Sequence, residues 1–461
     1  MSPGTLRAAV GEVLAGGGRV DGLFAARGGA EVRYVCSGPG GERILSCPAP
    51  GRSVPTVVDL APHLEWDERE ARDLHGVVFE GHEPHRALVD HPGVADDWIT
   101  PVVGDGVHQV AVGPVHAGVI ESGHFRFHAV GERVLHVDVR LFYKHRGLER
   151  AAEGRPADEA LAVIGRACGA CAVANRLATA QAVEAARGLR PDDRTRRART
   201  LLAELERLYN HLNDIGAICS GVGLAPGAMA FAALKERAQR VNLAVAGHRF
   251  LFGAVVLGGS ALSVAAEVAA AARREVAAIG RAAAEGWREL LFTASLRDRV
   301  RGAGTLGRDD ALRLGAVGPA ARASGVRRDA REDAPRLWYP GFRAAAPEEP
   351  AGDAAARMEM RAVEIAAAVA LLDELLAGPV EPGGSAPGEE PRAHGVGRVE
   401  SPRGETLCAV ELDGDRLRRV HLRTASFANW PAVARAAAGA ILPDFPLINK
   451  SFELCYACVD R

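Results

Sequence analysis

Apolar and polar positions change their period twice along this chain. Residues 6–14 read as a short helix, and residues 31–37 and 42–47 are short apolar runs that suit strands. Trp66 to His75 is charged and helical and ends on Gly76 as a stop signal. Residues 126–127 and 134–139 alternate apolar and polar side chains, which predicts paired strands. After Tyr143 the period becomes helical: Leu201, Leu205, Leu208, Leu212 and Ile215 fall on one face, and a helix is expected over residues 261–291. Residues 343–353 and 380–397 are rich in Pro, Gly and Ala and read as loops. Strand pattern returns from Val399, with a hairpin turn within residues 411–416, and residues 432–441 read as a short helix. The expectation is an α+β fold. A small N-terminal α+β domain covers residues 1–92, residues 92–101 read as a linker, and a mainly helical domain with peripheral strands covers residues 102–461.

Composition narrows the class. Hydrophobic residues make up 48% of the 461 positions and charged residues 25%, which is globular rather than disordered. The formal net charge of -2 gives no electrostatic footprint for nucleic acid or an anionic membrane. The most apolar stretch, 250–272, is broken by Gly258-Gly259 and carries Glu267. A spanning helix wants about 20 strongly apolar residues, so a buried helix after a glycine break is the better reading. Met1 is followed by Ser-Pro-Gly-Thr-Leu-Arg, not by a basic start and an apolar run, so no signal peptide is expected and a cytoplasmic location is.

Of eight cysteines, four fall in two Cys-x-x-Cys pairs, Cys168/Cys171 and Cys455/Cys458. Each spacing lets two sulfurs face one ion, and four soft thiolates suit zinc, iron–sulfur or nickel. Spacing alone favours zinc, with unrelated free thiols as the plain alternative, although a zinc ribbon has its pairs on nearby turns and these lie far apart. Cys36, Cys47, Cys219 and Cys408 have no paired spacing and read as structural thiols. On residue type alone Glu121 reads as a solvated strand residue, His116 and His124 as structural hydrogen-bonding groups, Arg146 and Glu149 as a helical ion pair, and His211 as a packed histidine.

The setting of the pairs changes the picture. Gly113-Pro114-Val115-His116 precedes Glu121-Ser122-Gly123-His124-Phe125-Arg126-Phe127, and Arg140-Leu141-Phe142-Tyr143-Lys144-His145-Arg146-Gly147-Leu148-Glu149 follows. Further on stand Glu204-Leu205-Glu206-Arg207-Leu208-Tyr209-Asn210-His211-Leu212, Ser401-Pro402-Arg403-Gly404-Glu405 and Pro443-Asp444-Phe445-Pro446-Leu447-Ile448-Asn449-Lys450-Ser451. In this order the strings resemble the large subunit of energy-converting (group 4) nickel–iron hydrogenases, including the formate hydrogenlyase type. More distantly they resemble the quinone-site subunit of complex I. Asp67-Glu68-Arg69-Glu70 through Asp73 and Gly76 resembles the small hydrophilic complex I subunit, here fused at the N-terminus.

The resemblance implies a nickel–iron centre with carbon monoxide and cyanide on iron, and it admits an additional Mg or Fe ion. Cys168 and Cys455 would be terminal nickel thiolates, and Cys171 and Cys458 would bridge nickel to iron. Glu121 would pass protons to and from a thiolate, and Arg403 would sit over the metals with Pro402 near the diatomic ligands. The implied partners are a small subunit carrying an iron–sulfur cluster, ferredoxin-like subunits and antiporter-like membrane subunits, with the chain peripheral on the cytoplasmic face of the membrane. The implied reaction is reversible reduction of protons to hydrogen. Two other readings stand beside it: a complex I-like NADH/quinone oxidoreductase subunit without nickel, and a scaffold with a four-cysteine zinc site.

The sequence departs from the family pattern at three places. Asn175 stands where His is usual, Glu453-Leu454 stands where Asp-Pro precedes the second pair, and Ala170 replaces a larger aliphatic residue. Asn175 can donate a hydrogen bond toward a sulfur but cannot titrate.

Overall fold

A computed structural model of the chain describes residues 1–89, 98–116 and 121–461; most of the expected linker, 92–97, lies outside the described residues. The fold is α+β, in two compact units. One comprises Met1–Gly147 with Arg313–Gly315 and Asp460, and the other comprises Leu148–Leu312, Ala316–Val459 and Arg461.

In the first unit, helix α1 (Pro3–Ala15) begins on a proline, whose missing N–H costs nothing in a first turn. It buries Leu6, Val10 and Val13, one stripe at helical spacing. The stripe joins the core of an antiparallel sheet of β1 (Arg19–Ala26), β2 (Glu31–Gly38) and β3 (Gly41–Pro48). A parallel pair, β4 (Ser53–Pro55) and β5 (Val78–Glu80), flanks helix α2 (Glu65–His75), which stops at left-handed Gly76. The charged look of α2 conceals burial: Asp67, Glu68 and Glu70 are all inside. Glu68 pays its desolvation in hydrogen bonds, accepting from Val57 N at 2.9 Å and Thr56 Oγ1 at 2.6 Å, with His82 Nδ1 at 2.7 Å. A second antiparallel sheet runs β6 (Val107–Val112), β7 (His124–Val130) and β8 (Arg133–Arg140).

The second unit is mainly helical. Two short helices, α3 (Leu148–Ala152) and α4 (Ala157–Ile164), lead to α5 (Ala172–Ala186) and, after β9 (Leu189–Pro191), to the 29-residue α6 (Asp193–Gly221). Asp192 caps α6 by accepting from Thr195 N at 2.8 Å. The leucine face expected on α6 is buried, together with Glu204, Glu206, Arg207, Asn210, His211 and Asp214. Helices α7 (Ala225–Ala246) and Ala354–Leu375 pack on it, and α8 (Ala266–Phe292) packs in turn on those two. Helix α8 starts five residues later than the apolar pattern suggests (266 − 261). Ser260 and Val264 instead pair with Gly383 and Val380, so the chain there is bridged and extended.

Strand β10 (Ser385–Pro387) pairs with β9, and β11 (His394–Ser401), β12 (Gly404–Asp413) and β13 (Arg416–Arg423) form an antiparallel sheet. Part of the segment read as a loop is therefore strand. Helix α5 lies directly on β11: a Cβ at Gly397 would sit 1.8 Å from the Ala178 carbonyl oxygen, and one at Gly395 would sit 2.1 Å from that of Ala182. Only glycine permits this approach. Helices Ala425–Ala437, Phe445–Phe452 and Tyr456–Val459 complete the unit. Among the described residues no helix is long and apolar enough to cross a membrane.

Candidate metal centre

The two cysteine pairs arrive from opposite ends of the second unit. Cys168 lies in the turn before α5, and Cys171 is the residue from which α5 starts. The second pair follows helix Phe445–Phe452, which ends at Glu453 in the left-handed conformation (φ 49°, ψ 48°). That residue turns the chain back so that Cys455 N donates to Ser426 Oγ at 2.9 Å, and Thr424 Oγ1 donates to the Cys458 carbonyl at 3.1 Å.

The structure brings the four cysteines into one packed cluster. Cys168 Sγ lies 2.8 Å from Cys455 Sγ, and the sulfurs of Cys168, Cys455 and Cys458 all lie within 4.8 Å of one another. Cys171 packs into the same cluster of side chains as Cys168, Cys455 and Cys458. Three of the four are buried and Cys455 is partly so. The neighbouring thiols of Cys171, Cys455 and Cys458 hold the Cys168 thiol well below its ordinary value. The other three are pushed up, since a second thiolate beside the first in a dry pocket is unfavourable. A soft cation relieves that crowding, so the donor set fits a thiolate-bound metal.

Arg403 is brought to the same place. It occupies the two-residue turn between β11 and β12, where Ser401 pairs with Gly404 and Pro402 presets the turn. Three acceptors hold its guanidinium: Nε donates to Glu453 O at 2.9 Å, Nη1 to Asn210 Oδ1 at 2.7 Å and Nη2 to Asp214 Oδ1 at 3.0 Å. Burial opposes its charge, but Asp214, Cys171, Glu453 and Cys455 outweigh that and raise its pKa further. Asp214 is also held by Arg361, whose Nε donates to Oδ2 at 3.0 Å. Burial works against the Asp214 carboxylate, yet the two arginines and His211 hold it well below the usual range. Burial and the neighbouring Asp214 push the Glu453 carboxyl up to about 7. Asn175 Nδ2 points at Cys458 Sγ from 3.8 Å, while its Oδ1 is buried without a hydrogen-bond partner.

Glu121 is exposed and belongs to the first unit, whereas the four cysteines and Arg403 belong to the second. Within its own unit Glu121 acts on Asp460, whose carboxyl burial and the Glu121 charge push up to about 6. His116 Nε2 contacts Gly123 O at 2.8 Å, and the His124 ring packs against Trp98. Glu149 is paired with Arg419 and Arg461. His211 is buried, with Nε2 2.8 Å from Glu364 Oε2. Reading the sequence missed Asn210, Asp214 and Glu206 as parts of this site. Their signal was present as a polar stripe at i, i+4 and i+8 inside a leucine-rich helix.

The family model for the 49 kDa subunit of respiratory-chain NADH dehydrogenase matches residues 222–387 and 384–461. That for its 30 kDa subunit matches residues 27–103, and that for nickel-dependent hydrogenase matches residues 146–214. Formate hydrogenlyase subunit 5 of Escherichia coli is 31% identical over 442 residues, covering 88% of this chain and 77% of that protein. Hydrogenase-4 component G of Escherichia coli is 30% identical over 447 residues, covering 90% of this chain and 77% of that protein. A chain from the structure of the membrane-bound sulfane sulfur reductase, an archaeal respiratory membrane complex, superposes with a TM-score of 0.71 at 25% identity, covering 78% of this chain and 100% of that one. This chain belongs to the family that unites the large subunits of group 4 membrane-bound hydrogenases with the 49 kDa subunit of respiratory-chain NADH dehydrogenase, and it carries the 30 kDa-like region fused ahead of it.

Proposed function

We propose that this chain is the catalytic large subunit of a membrane-associated nickel–iron hydrogenase that reversibly reduces protons to hydrogen. The observation that carries the reading is the packing of four cysteines into one cluster, three of their sulfurs within 4.8 Å of one another, beside a fixed guanidinium. Cys168, Cys171, Cys455 and Cys458 would be the residues that hold a nickel–iron centre bearing carbon monoxide and cyanide. When bound, that centre supplies a soft, redox-active site for heterolytic cleavage of hydrogen.

The chain's own groups do the rest. A cysteine sulfur takes the proton first, as a base held next to the reacting atoms. In this reading Glu121 would be the carboxylate that passes protons outward. Arg403 is a poor acid, since its pKa exceeds about 12; it orients and stabilises charge, in a position set by Asn210, Asp214 and the Glu453 carbonyl. Electrons would come from an iron–sulfur small subunit and ferredoxin-like subunits. Antiporter-like membrane subunits would hold the assembly on the cytoplasmic face. In this reading residues 1–92 are the small hydrophilic-subunit domain and residues 102–461 the large-subunit domain.

A second reading rests on the 49 kDa match and on Asn175 and Glu453-Leu454: a subunit of NADH/quinone type without nickel, or a scaffold holding zinc. Metal analysis of the chain purified from a host with hydrogenase-maturation machinery separates them. Nickel with iron in equal amounts is the expected result. Zinc alone, or no metal, would sink the hydrogenase reading.

A further inference from the structure

Helix α6 turns three side chains of one face toward the loop that carries the first cysteine pair: Glu206, Tyr209 and Asn210, at i, i+3 and i+4. Glu206 Oε2 accepts from Val173 N at 2.7 Å and Oε1 from Ala174 N at 3.0 Å. Those N–H groups belong to the first turn of α5 and have no partner within their own helix. Tyr209 Oη donates to Gly169 O at 2.9 Å, and Asn210 Nδ2 donates to Ala170 O at 2.7 Å. The carboxylate thus grips the chain just after Cys171, and the phenol and amide grip it just before. The other end of the same amide, Asn210 Oδ1, accepts from Arg403 Nη1 at 2.7 Å. All three side chains lie in the interior, at 1%, 3% and 2% exposure for Glu206, Tyr209 and Asn210.

We propose that Glu206, Tyr209 and Asn210 form a jig on α6 that presets the Cys168–Cys171 turn for metal and locks its register to Arg403. They are positioning residues: none contributes a ligand atom. This rests on the reading of the four cysteines as metal ligands. The physical basis is preorganisation. A loop already ordered by buried hydrogen bonds does not lose that freedom again when metal binds, and partners behind the ligands set how the donors point. Asn210 has a double task, because one planar amide satisfies both the cysteine loop and the guanidinium. Any shift of α6 therefore moves both together rather than one past the other.

The test uses the full chain, purified without metal and titrated anaerobically with Co(II), with the thiolate-to-cobalt absorption as readout. The unmodified chain should bind one Co(II) with the intense band of a sulfur-rich site. If it does not, the four-cysteine reading fails, and the jig with it. Given that binding, Asn210→Ala and Glu206→Gln should weaken Co(II) by about 10- to 100-fold, the usual range for such partners, and shift the band. Asn210→Asp keeps an acceptor for Arg403 but faces the Ala170 carbonyl with a second oxygen, so it should lose affinity as Asn210→Ala does. Tyr209→Phe removes only a hydroxyl, so it decides the matter should larger changes unfold the chain; it should bind several-fold more weakly with a shifted band. Variants that melt like the unmodified chain and bind Co(II) with unchanged affinity and spectrum would overturn the proposal.

Discussion

Replacing Gly397 with alanine tests how the first cysteine pair is held in place. The new Cβ would stand 1.8 Å from the Ala178 carbonyl oxygen and 2.7 Å from Ala182 N. An ordinary contact begins near 3.4 Å, so α5 and β11 must separate by roughly 1.6 Å (3.4 − 1.8). Both sides of the clash are backbone, so no rotamer change relieves it. Overpacking typically costs about 1–3 kcal/mol; backbone against backbone puts this change at the upper end, about 3 kcal/mol. For a unit of this size that lowers the melting midpoint by roughly 5 °C. Helix α5 starts at Cys171, so the retreat also displaces the first pair by more than the roughly 0.5 Å such a site tolerates. The control is Gly378→Ala, whose Cβ meets nothing within 4 Å and which should change stability by less than about 1 kcal/mol. The assays are calorimetry and metal per chain. If Gly397→Ala matches the control in both, the argument that α5 and β11 jointly set the cysteine turn is refuted.

Asp214→Asn keeps the shape but removes the charge between Arg403 and Arg361; breaking such a buried pair costs about 3–5 kcal/mol, so urea unfolding at unchanged midpoint would contradict the assigned contacts. Arg403→Lys cannot reach three acceptors with one ammonium; hydrogen turnover should fall at least about tenfold while nickel and iron content stays, and full turnover would count against its role. Cys171→Ser and Cys458→Ser should each abolish bound nickel and iron, and retained hydrogen turnover in either would contradict the ligand assignment. Burial and Asp329 push the Glu400 carboxyl up to about 7 from 4.5, so the folded chain holds a proton there that the unfolded chain has lost. That contribution to stability is full below about pH 4.5 and declines as pH rises toward 7; Glu400→Gln should flatten this part of the pH–stability curve, and an unchanged slope would show that Glu400 does not titrate there.

How much was legible in the sequence depended on whether one interaction dominated a segment. The α6 leucines, the two strands after Gly28 and the hairpin after Glu411 each carry a periodicity that burial alone explains, and each forms. Strand β1 went unread because nearly every residue of it is buried, which erases alternation. His394 to Gly397 looked like loop because glycine usually marks one, yet here Gly395 and Gly397 exist to let α5 approach. The start of α8 is set by pairing with residues more than a hundred positions later, which no local window contains. In the candidate site the cysteines and Arg403 were readable from their motifs. Glu206, Asn210 and Asp214 were not, because their meaning depends on what α6 faces across the core.

The central claim is that the four cysteines hold a nickel–iron pair. It is tested most directly by infrared spectroscopy of the chain matured in its native host. Bands from carbon monoxide and cyanide bound to iron are expected, and they should be lost in Cys171→Ser. A spectrum without those bands, from protein made where the maturation machinery is active, would contradict it.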